Sequence, residues 1–435
     1  MSQQKSYTVS FILLTVLFFL WGFITVLVDS LIPRLRELFT LSYFEAGLVQ
    51  FAFFGAYFLL SIPASYILSK IGYKRGIILG LFTMAFGCAL FSPAASYRVF
   101  GLFMLAYFTL AGGMTILQVA ANPYVAVLGS EDMASSRLNL SQAFNSLGTA
   151  IAPTFGALLI LSDKIKTSDE IDALTVTAKE TYLNAEAAAV QKPFLILAGF
   201  IVAVAATFFF MKLPKLISAQ SSGTYRDALK NKNLMLGVLG IFFYVGAEVS
   251  IGSYLVNYFL DMNMVSVIQN NDFMKGIAEK MLNSGLAEKD QKAIVGVFVT
   301  FYWSGAMIGR FIGSFLTRYV NPGKVLGIFA MLAMSCIIIS VSTTGLISMW
   351  SILAVGLFNS IMFPTIFTQA IHGTGQLKPK ASGLLCMAIV GGAIIPPIYG
   401  LLTDQIGFKM ALLAIVLCYG YILIYGYRSS KLIKT

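Results

Sequence analysis

Apolar positions run in twelve long blocks along the chain, at 9–34, 42–69, 76–93, 98–128, 137–162, 191–213, 233–260, 292–317, 324–344, 346–373, 379–404 and 407–428. Within them the apolar residues are not confined to one helical stripe, as they would be on a helix facing water. All of them reach or exceed the roughly 17–25 residues a helix needs to cross a bilayer. Twelve membrane-spanning helices are therefore expected, with no strand. Polar stretches interrupt the series at 163–190 and 261–291, and neither carries enough apolar periodicity for a separate domain. A third, KLPKLISAQSSGTYRDALKNK around 213–232, is basic, has Ser and Gly at its centre, and falls midway. It divides the chain into a six-helix bundle at 1–212, a central linker at 213–232 and a second bundle at 233–435.

The two halves repeat each other in order. FFLWG (18–22) answers FFYVG (242–246), and FAFFGA (51–56) answers FYWSGA (301–306). QVAANP (118–123) answers NSIMFP (359–364), which sets Gln118 opposite Asn359, and GTAIAP (148–153) answers GGAIIP (391–396). Each match is weak alone, but their common order indicates a duplicated six-helix unit. Parallel repeats of this kind belong to membrane transporters whose substrate site lies near the midplane, between the halves.

Composition removes the soluble classes. Hydrophobic residues make up 58% of the 435 and charged residues 11%, against about 25% charged in an ordinary soluble domain. The charge sign follows the loops. With the N-terminus inside, the inner loops carry mostly Lys and Arg, with Glu131, Asp132 and Asp227 as their acids, whereas bases and acids balance outside. Both termini are thus expected in the cytoplasm. The net charge of +11 reflects that topology and anionic lipid; no nucleic-acid partner is implied. Cys88, Cys336, Cys386 and Cys418 lie in apolar runs with no CxxC spacing, and His372 is the one histidine, so neither a disulfide nor a metal centre is expected. No GxxxxGK[ST] loop points to an ATP-driven pump. No enzyme chemistry or cofactor is expected.

The polar residues inside the spans carry the candidate chemistry. Gln118 and Asn122 are four apart and share a helix face; Gln142 and Asn145, three apart, share another. Uncharged amides offer both donors and acceptors to sugar hydroxyls, though any single one also serves as a bond between helices. Two carboxylates are placed inside spans, Asp29 in the first and Glu248 near the centre of the seventh. Intramembrane acids are functional candidates by default. For Asp29 the structural alternative is a helix end paired with Arg34 or Arg36. Glu248 is a candidate both for cation coupling and for binding sugar hydroxyls. Asn257, nine residues on, shares roughly its face. Trp21, Tyr244, Tyr254 and Phe363 are candidates for an aromatic wall, while Arg310 in GAMIGRFIG reads as a residue that snorkels or braces a gate.

FFLWGF, AANPYVAVLG, RLNLSQAFNSLG, FYVGAEVSIGSYL, FPTIF and GGAIIPPIYG together resemble the bacterial fucose–galactose–glucose:proton symporter family of the major facilitator superfamily. The resemblance runs from the first span to about the twelfth. It implies the major facilitator fold, placement in a bacterial inner membrane, and uptake of a hexose or hexose derivative driven by a cation gradient through alternating access. It also implies that Asp29 matches the titrating aspartate of the first helix, and that Gln142 and Asn145 match sugar-contacting amides. Gln118 stands where the fucose symporter has its fourth-helix acid, and Glu248 where that protein has glutamine. The expected substrate-binding set is Gln118, Asn122, Gln142, Asn145, Glu248, Asn257 and Asn359. Cation coupling falls to Asp29 or Glu248. The sugar and the choice of H⁺ or Na⁺ stay open at this point, and a monomer is expected. Two other classes share the fold: a drug or metabolite:proton antiporter, which would favour a more apolar pocket, and a non-transporting sugar sensor, which would not need both acids.

Overall fold

The computed structural model describes residues 2–29, 43–160, 173–211, 213–214, 223–286 and 289–432. The sequence-expected ends of the first and fifth spans, the start of the first polar loop and much of the linker lie outside these residues. So do the side chains at 2–6, 28–29 and 43–47, and with them the side chain of Asp29.

The described residues are helical throughout, without strands. In the first half, α1 (Ser2–Asp29), α2 (Tyr43–Ile71), α3 (Tyr73–Tyr97), α4 (Phe100–Val127), α5 (Ala134–Ile160) and α6 (Val176–Phe210) correspond to the six expected spans. A short α7 (Tyr225–Lys230) follows the linker. The second half begins with α8 (Lys232–Asp261), whose first turn is capped by the Asn231 side chain accepting from the amide of Leu234 at 3.0 Å. Two short helices, α9 (Met264–Gln269) and α10 (Asp272–Leu282), occupy the second polar loop. Then come α11 (Gln291–Tyr319) and α12 (Pro322–Ser342), the latter with Pro322 in its first turn and Asn321 as its cap.

The tenth span is not one helix. It divides at Ser360–Ile361 into α13 (Gly345–Asn359) and α14 (Met362–Ile371). Pro364 supplies a cause, because proline has no N–H to offer the carbonyl four residues back. The eleventh begins with α15 (Lys378–Met387), and after a short turn of tighter helix α16 (Gly391–Leu432) carries on to the C-terminus. Gly407, at φ +79°, interrupts α16 and separates the eleventh span from the twelfth. Ten stretches of the described residues are long and apolar enough to cross a membrane, the last of them holding both final spans. Together with α5, whose first turns are polar, they account for the twelve.

By proximity the chain sorts into two compact units, Met1–Gly129 with Phe144–Ala228 and Gly373–Met387, and Ser130–Ala143 with Leu229–His372 and Ala388–Thr435. Each is one sequence half that gives up a short segment and receives another. In the first unit α15 is seated against α2 and α4: a Cβ on Gly383 would lie 2.7 Å from the Ser65 side chain, and Ser382 Oγ donates to the Val119 carbonyl at 2.9 Å. In the second, the start of α5 is tied to α11 and α14 by hydroxyls. Ser135 and Thr368 share a hydrogen bond of 2.6 Å, Ser136 Oγ donates to the Ser314 carbonyl at 2.7 Å and Ser314 Oγ to that of Ser136 at 3.0 Å. Asn139 Nδ2 reaches Thr365 Oγ1 at 3.2 Å.

The duplication read from the repeats has a physical counterpart within each unit. A Cβ on Gly148 would stand 2.2 Å from the Phe19 carbonyl oxygen, and one on Gly391 2.0 Å from that of Phe242. Bare backbone is thus needed where the fifth span meets the first, and again where the eleventh meets the seventh.

Candidate functional site

The structure distributes the expected site residues between the two units. Gln118, Asn122 and Asn145 belong to the first; Gln142, Glu248, Asn257 and Asn359 belong to the second.

In the first unit, half-buried Gln118 donates through Nε2 to the hydroxyl of Tyr57 on α2 at 2.7 Å. Its helix neighbour Asn122 is 0% exposed, and neither its amide nitrogen nor its amide oxygen has a hydrogen-bond partner. An unsatisfied buried amide costs about 1–3 kcal/mol, so the fold carries this group at a loss that a hydroxylated ligand would offset. Asn145 takes a different role. Its Nδ2 donates to the Phe18 carbonyl on α1 at 2.9 Å, beside Gly22, where a Cβ would come within 2.2 Å of the Asn145 carbonyl oxygen. That bond ties α5 to α1, the structural use that intramembrane amides share with ligand binding. Trp21, 7% exposed, packs its ring 5.5 Å from that of Phe18 on the same helix.

The second unit builds a denser cluster around Glu248. Asn359 Nδ2 donates to Tyr302 Oη at 2.7 Å and lies 3.5 Å from Tyr419 Oη. Tyr302 Oη in turn donates to the backbone carbonyl of Glu248 at 3.4 Å. Tyr244, Tyr302, Tyr419 and Arg310 lie within electrostatic reach of Glu248. Asn359 Oδ1 is buried without a hydrogen-bond partner, and the Glu248 carboxylate faces the Tyr244 hydroxyl on its own helix. An amide oxygen is a pure acceptor, and without a partner it calls for an O–H or N–H donor.

Arg310 was expected to snorkel or brace a gate. It is half-buried, its Nε donates to the Ser360 carbonyl at 3.2 Å and its Nη1 to that of Gln142 at 3.4 Å. Ser360 stands four residues before Pro364, so its carbonyl lacks the usual helical donor. The side chain of Gln142 is 6% exposed. Asn257 is exposed near the end of α8, and none of the hydrogen bonds described around Glu248 reaches it. Tyr57, Tyr302 and Tyr419 were not expected at the site; with 20 tyrosines in the chain, no spacing singled them out. Arg310 had a signal that was available: it is a lone arginine within an apolar run, in the same half as the intramembrane Glu248.

Among the described residues no group of three or more His, Cys, Asp or Glu side chains is placed to hold a metal ion. Each cluster holds amides and phenols, which can both donate and accept, and the second adds one carboxylate.

Comparison with known proteins agrees over nearly the whole chain. The Major Facilitator Superfamily model matches residues 7–389. A glucose/galactose transporter of Brucella abortus is 49% identical over 433 residues, covering 99% of this chain and 96% of that protein. The L-fucose-proton symporter of Escherichia coli is 36% identical over 439 residues, with coverage of 99% and 95%. The crystal structure of the major facilitator transporter FucP in its outward conformation superposes with a TM-score of 0.86 at 34% identity, covering 99% of this chain and 100% of that one.

Proposed function

The chain belongs to the major facilitator superfamily, and we propose that it is a secondary transporter that imports a neutral hexose of the glucose–galactose class together with a proton. The observation that carries this reading is the 49% identity, over 99% of the chain, to a glucose/galactose transporter. Proton coupling is supported by the relation to the L-fucose-proton symporter and by a carboxylate held within the membrane-spanning part. In this reading the protein is a transporter and not an enzyme, and needs no cofactor. It works as a monomer in the bacterial inner membrane with both termini in the cytoplasm, and its two six-helix halves, 1–212 and 233–435, alternate access to the site.

The sugar-binding roles follow the unpartnered groups. Asn122 and Asn359 offer their bare polar atoms to the sugar and Glu248 its carboxylate, while Gln118 contributes from the helix of Asn122, Gln142 from α5 and Asn257 from the end of α8. Asn145 acts by holding α5 on α1. Asp29, at the end of α1, is the coupling carboxylate, and Glu248 is chiefly a sugar acceptor. The test is uptake by proteoliposomes of a labelled sugar panel under an imposed proton gradient and, separately, an imposed sodium gradient. Accumulation of glucose or galactose under the proton gradient, abolished by a protonophore, is expected. Accumulation under sodium alone would replace the proton by Na⁺; transport of no sugar under either gradient would overturn the reading.

A further inference from the structure

Away from the two clusters, contacts of the first unit converge on Ser65, which is 0% exposed on α2. Its hydroxyl is hydrogen-bonded to that of Tyr225 on α7, and Tyr225 Oη also donates to the Ile62 carbonyl at 3.0 Å. α15 reaches the same point: a Cβ on Gly383 would lie 2.7 Å from Ser65 Oγ and 3.0 Å from the Ser61 carbonyl oxygen. A third contact closes the ring. Gly223, at φ +92°, turns the chain toward α7, and a Cβ there would stand 2.8 Å from Leu377 Cδ2, one residue before α15. The positive φ and the close approach both call for glycine at that position. α2 comes from the first sequence half, α15 from the second and α7 from the linker region between them, yet Ile62, Ser65, Tyr225 and Gly383 all fall in one compact unit.

α7 is six residues long, well below the roughly 12–15 at which an isolated helix is even marginal in water. Its order therefore depends on what holds it. The Asp227 carboxylate accepts from the Thr224 amide at 2.7 Å and from the Thr224 hydroxyl at 2.8 Å, which closes the first turn. Ala228 is 0% exposed, and Tyr225 is half-buried. A helix this short docks or unwinds as one piece. The joint between α2 and α15 is glycine against serine, and there Ser61 Oγ is buried without a hydrogen-bond partner. The hydroxyl bonds at this point come instead from α7.

We propose that α7 is a strap: Tyr225, anchored on Ile62 and Ser65, holds α15 against α2, and its release is a step in opening the face on which the linker lies. In the topology proposed above that face is the cytoplasmic one. The inference rests on the reading that the two halves alternate access. Neutral hydroxyl bonds suit a reversible strap, because water replaces them at little net cost; they bias the closed form without freezing it. Tyr225 acts on the cycle without touching the sugar.

The test is the rate at which a small water-soluble thiol reagent modifies Ser61→Cys in the purified full chain, with the four native cysteines replaced by alanine. Ser61 Oγ has no bond to lose on this substitution, and the thiol, beneath Gly383, becomes reachable when α15 leaves α2. Tyr225→Phe keeps the ring and removes the hydroxyl bonds. It should speed modification about two- to tenfold, the equilibrium worth of one hydrogen bond. Gly223→Val strains the turn and meets Leu377, so it should act in the same direction while leaving the Tyr225 hydroxyl in place. A chain that keeps Cys88 alone, 0% exposed in α3, reads general loosening, and its thiol should stay unreactive in both variants.

Unchanged modification of Ser61→Cys in both variants would overturn the strap and leave α7 as surface packing. Equal acceleration at Ser61→Cys and at Cys88 would also overturn it, as a loosening of the whole unit. These rates need no sugar. If the wild type transported none, the alternating-access reading would fail, while faster modification of Ser61→Cys alone would still establish α7 as a restraint on α15.

Discussion

The two repeats solve one backbone problem with different chemistry. Pro123 and Pro364 occupy matching positions, and each deprives the carbonyl four residues earlier of its helical donor. In the first repeat that carbonyl, on Val119, accepts from the neutral hydroxyl of Ser382 at 2.9 Å. In the second, on Ser360, it accepts from the guanidinium of Arg310 at 3.2 Å. The residue just before each is an amide that donates to a tyrosine, Gln118 to Tyr57 and Asn359 to Tyr302, both at 2.7 Å. A shared frame therefore carries a neutral cluster in one unit and a charged one in the other. The difference teaches where specificity and coupling can reside. The first unit holds an orphaned amide, Asn122, whereas the second holds a carboxylate, Glu248.

Substitutions that erase this difference should have graded effects. Glu248→Gln makes the second cluster neutral like the first and should have the largest consequence for recognition. Losing a hydrogen bond to a charged group costs about 1.5–3 kcal/mol, roughly 10- to 150-fold in affinity, measurable by calorimetry with the transported sugar. Asn122→Leu should come next, with effects of opposite sign on two readouts. Sugar affinity should fall about tenfold, while Tm rises because a buried unsatisfied amide has been replaced by an apolar side chain of similar size. A fall in both would mean that Asn122 is satisfied and structural. Ser382→Ala should be the mildest. Removing one neutral donor to Val119 should cost about 1 kcal/mol of stability and leave sugar affinity within about twofold; a loss as large as that of Glu248→Gln would break the contrast between the repeats.

Much of the fold could be read from the chain alone, because a bilayer admits so few architectures: once twelve apolar blocks and an ordered repeat are present, helices are the economical way to satisfy the backbone. Glu248 was legible for the same reason, as a charge in the middle of an apolar run. The break in the tenth span was not, although Pro364 was in view. Pro123 at the matching position leaves α4 continuous, so the proline alone does not decide whether a helix divides. Asn145 and Asn122 looked alike as intramembrane amides, and only tertiary placement separates the one that ties α5 to α1 from the one left without a partner. Tyr57, Tyr302 and Tyr419 escaped notice because 14% of the chain is aromatic and most such rings pack. Arg310 was given a peripheral role from its nearness to a span end. Its hydrogen bonds go to backbone carbonyls far away in sequence, on Ser360 and Gln142, and no local pattern encodes those.

The central claim is a division of labour: the carboxylate of the second repeat recognises the sugar, and Asp29 at the end of the first helix couples its movement to the proton. Paired transport assays on Asp29→Asn and Glu248→Gln in proteoliposomes test it directly, with sugar counterflow and gradient-driven accumulation measured side by side. The account predicts that Asp29→Asn abolishes accumulation yet retains counterflow, since exchange needs no net release of the proton. Glu248→Gln should depress both together. Counterflow retained and accumulation lost in Glu248→Gln, with both retained in Asp29→Asn, would contradict the account and make Glu248 the coupling group.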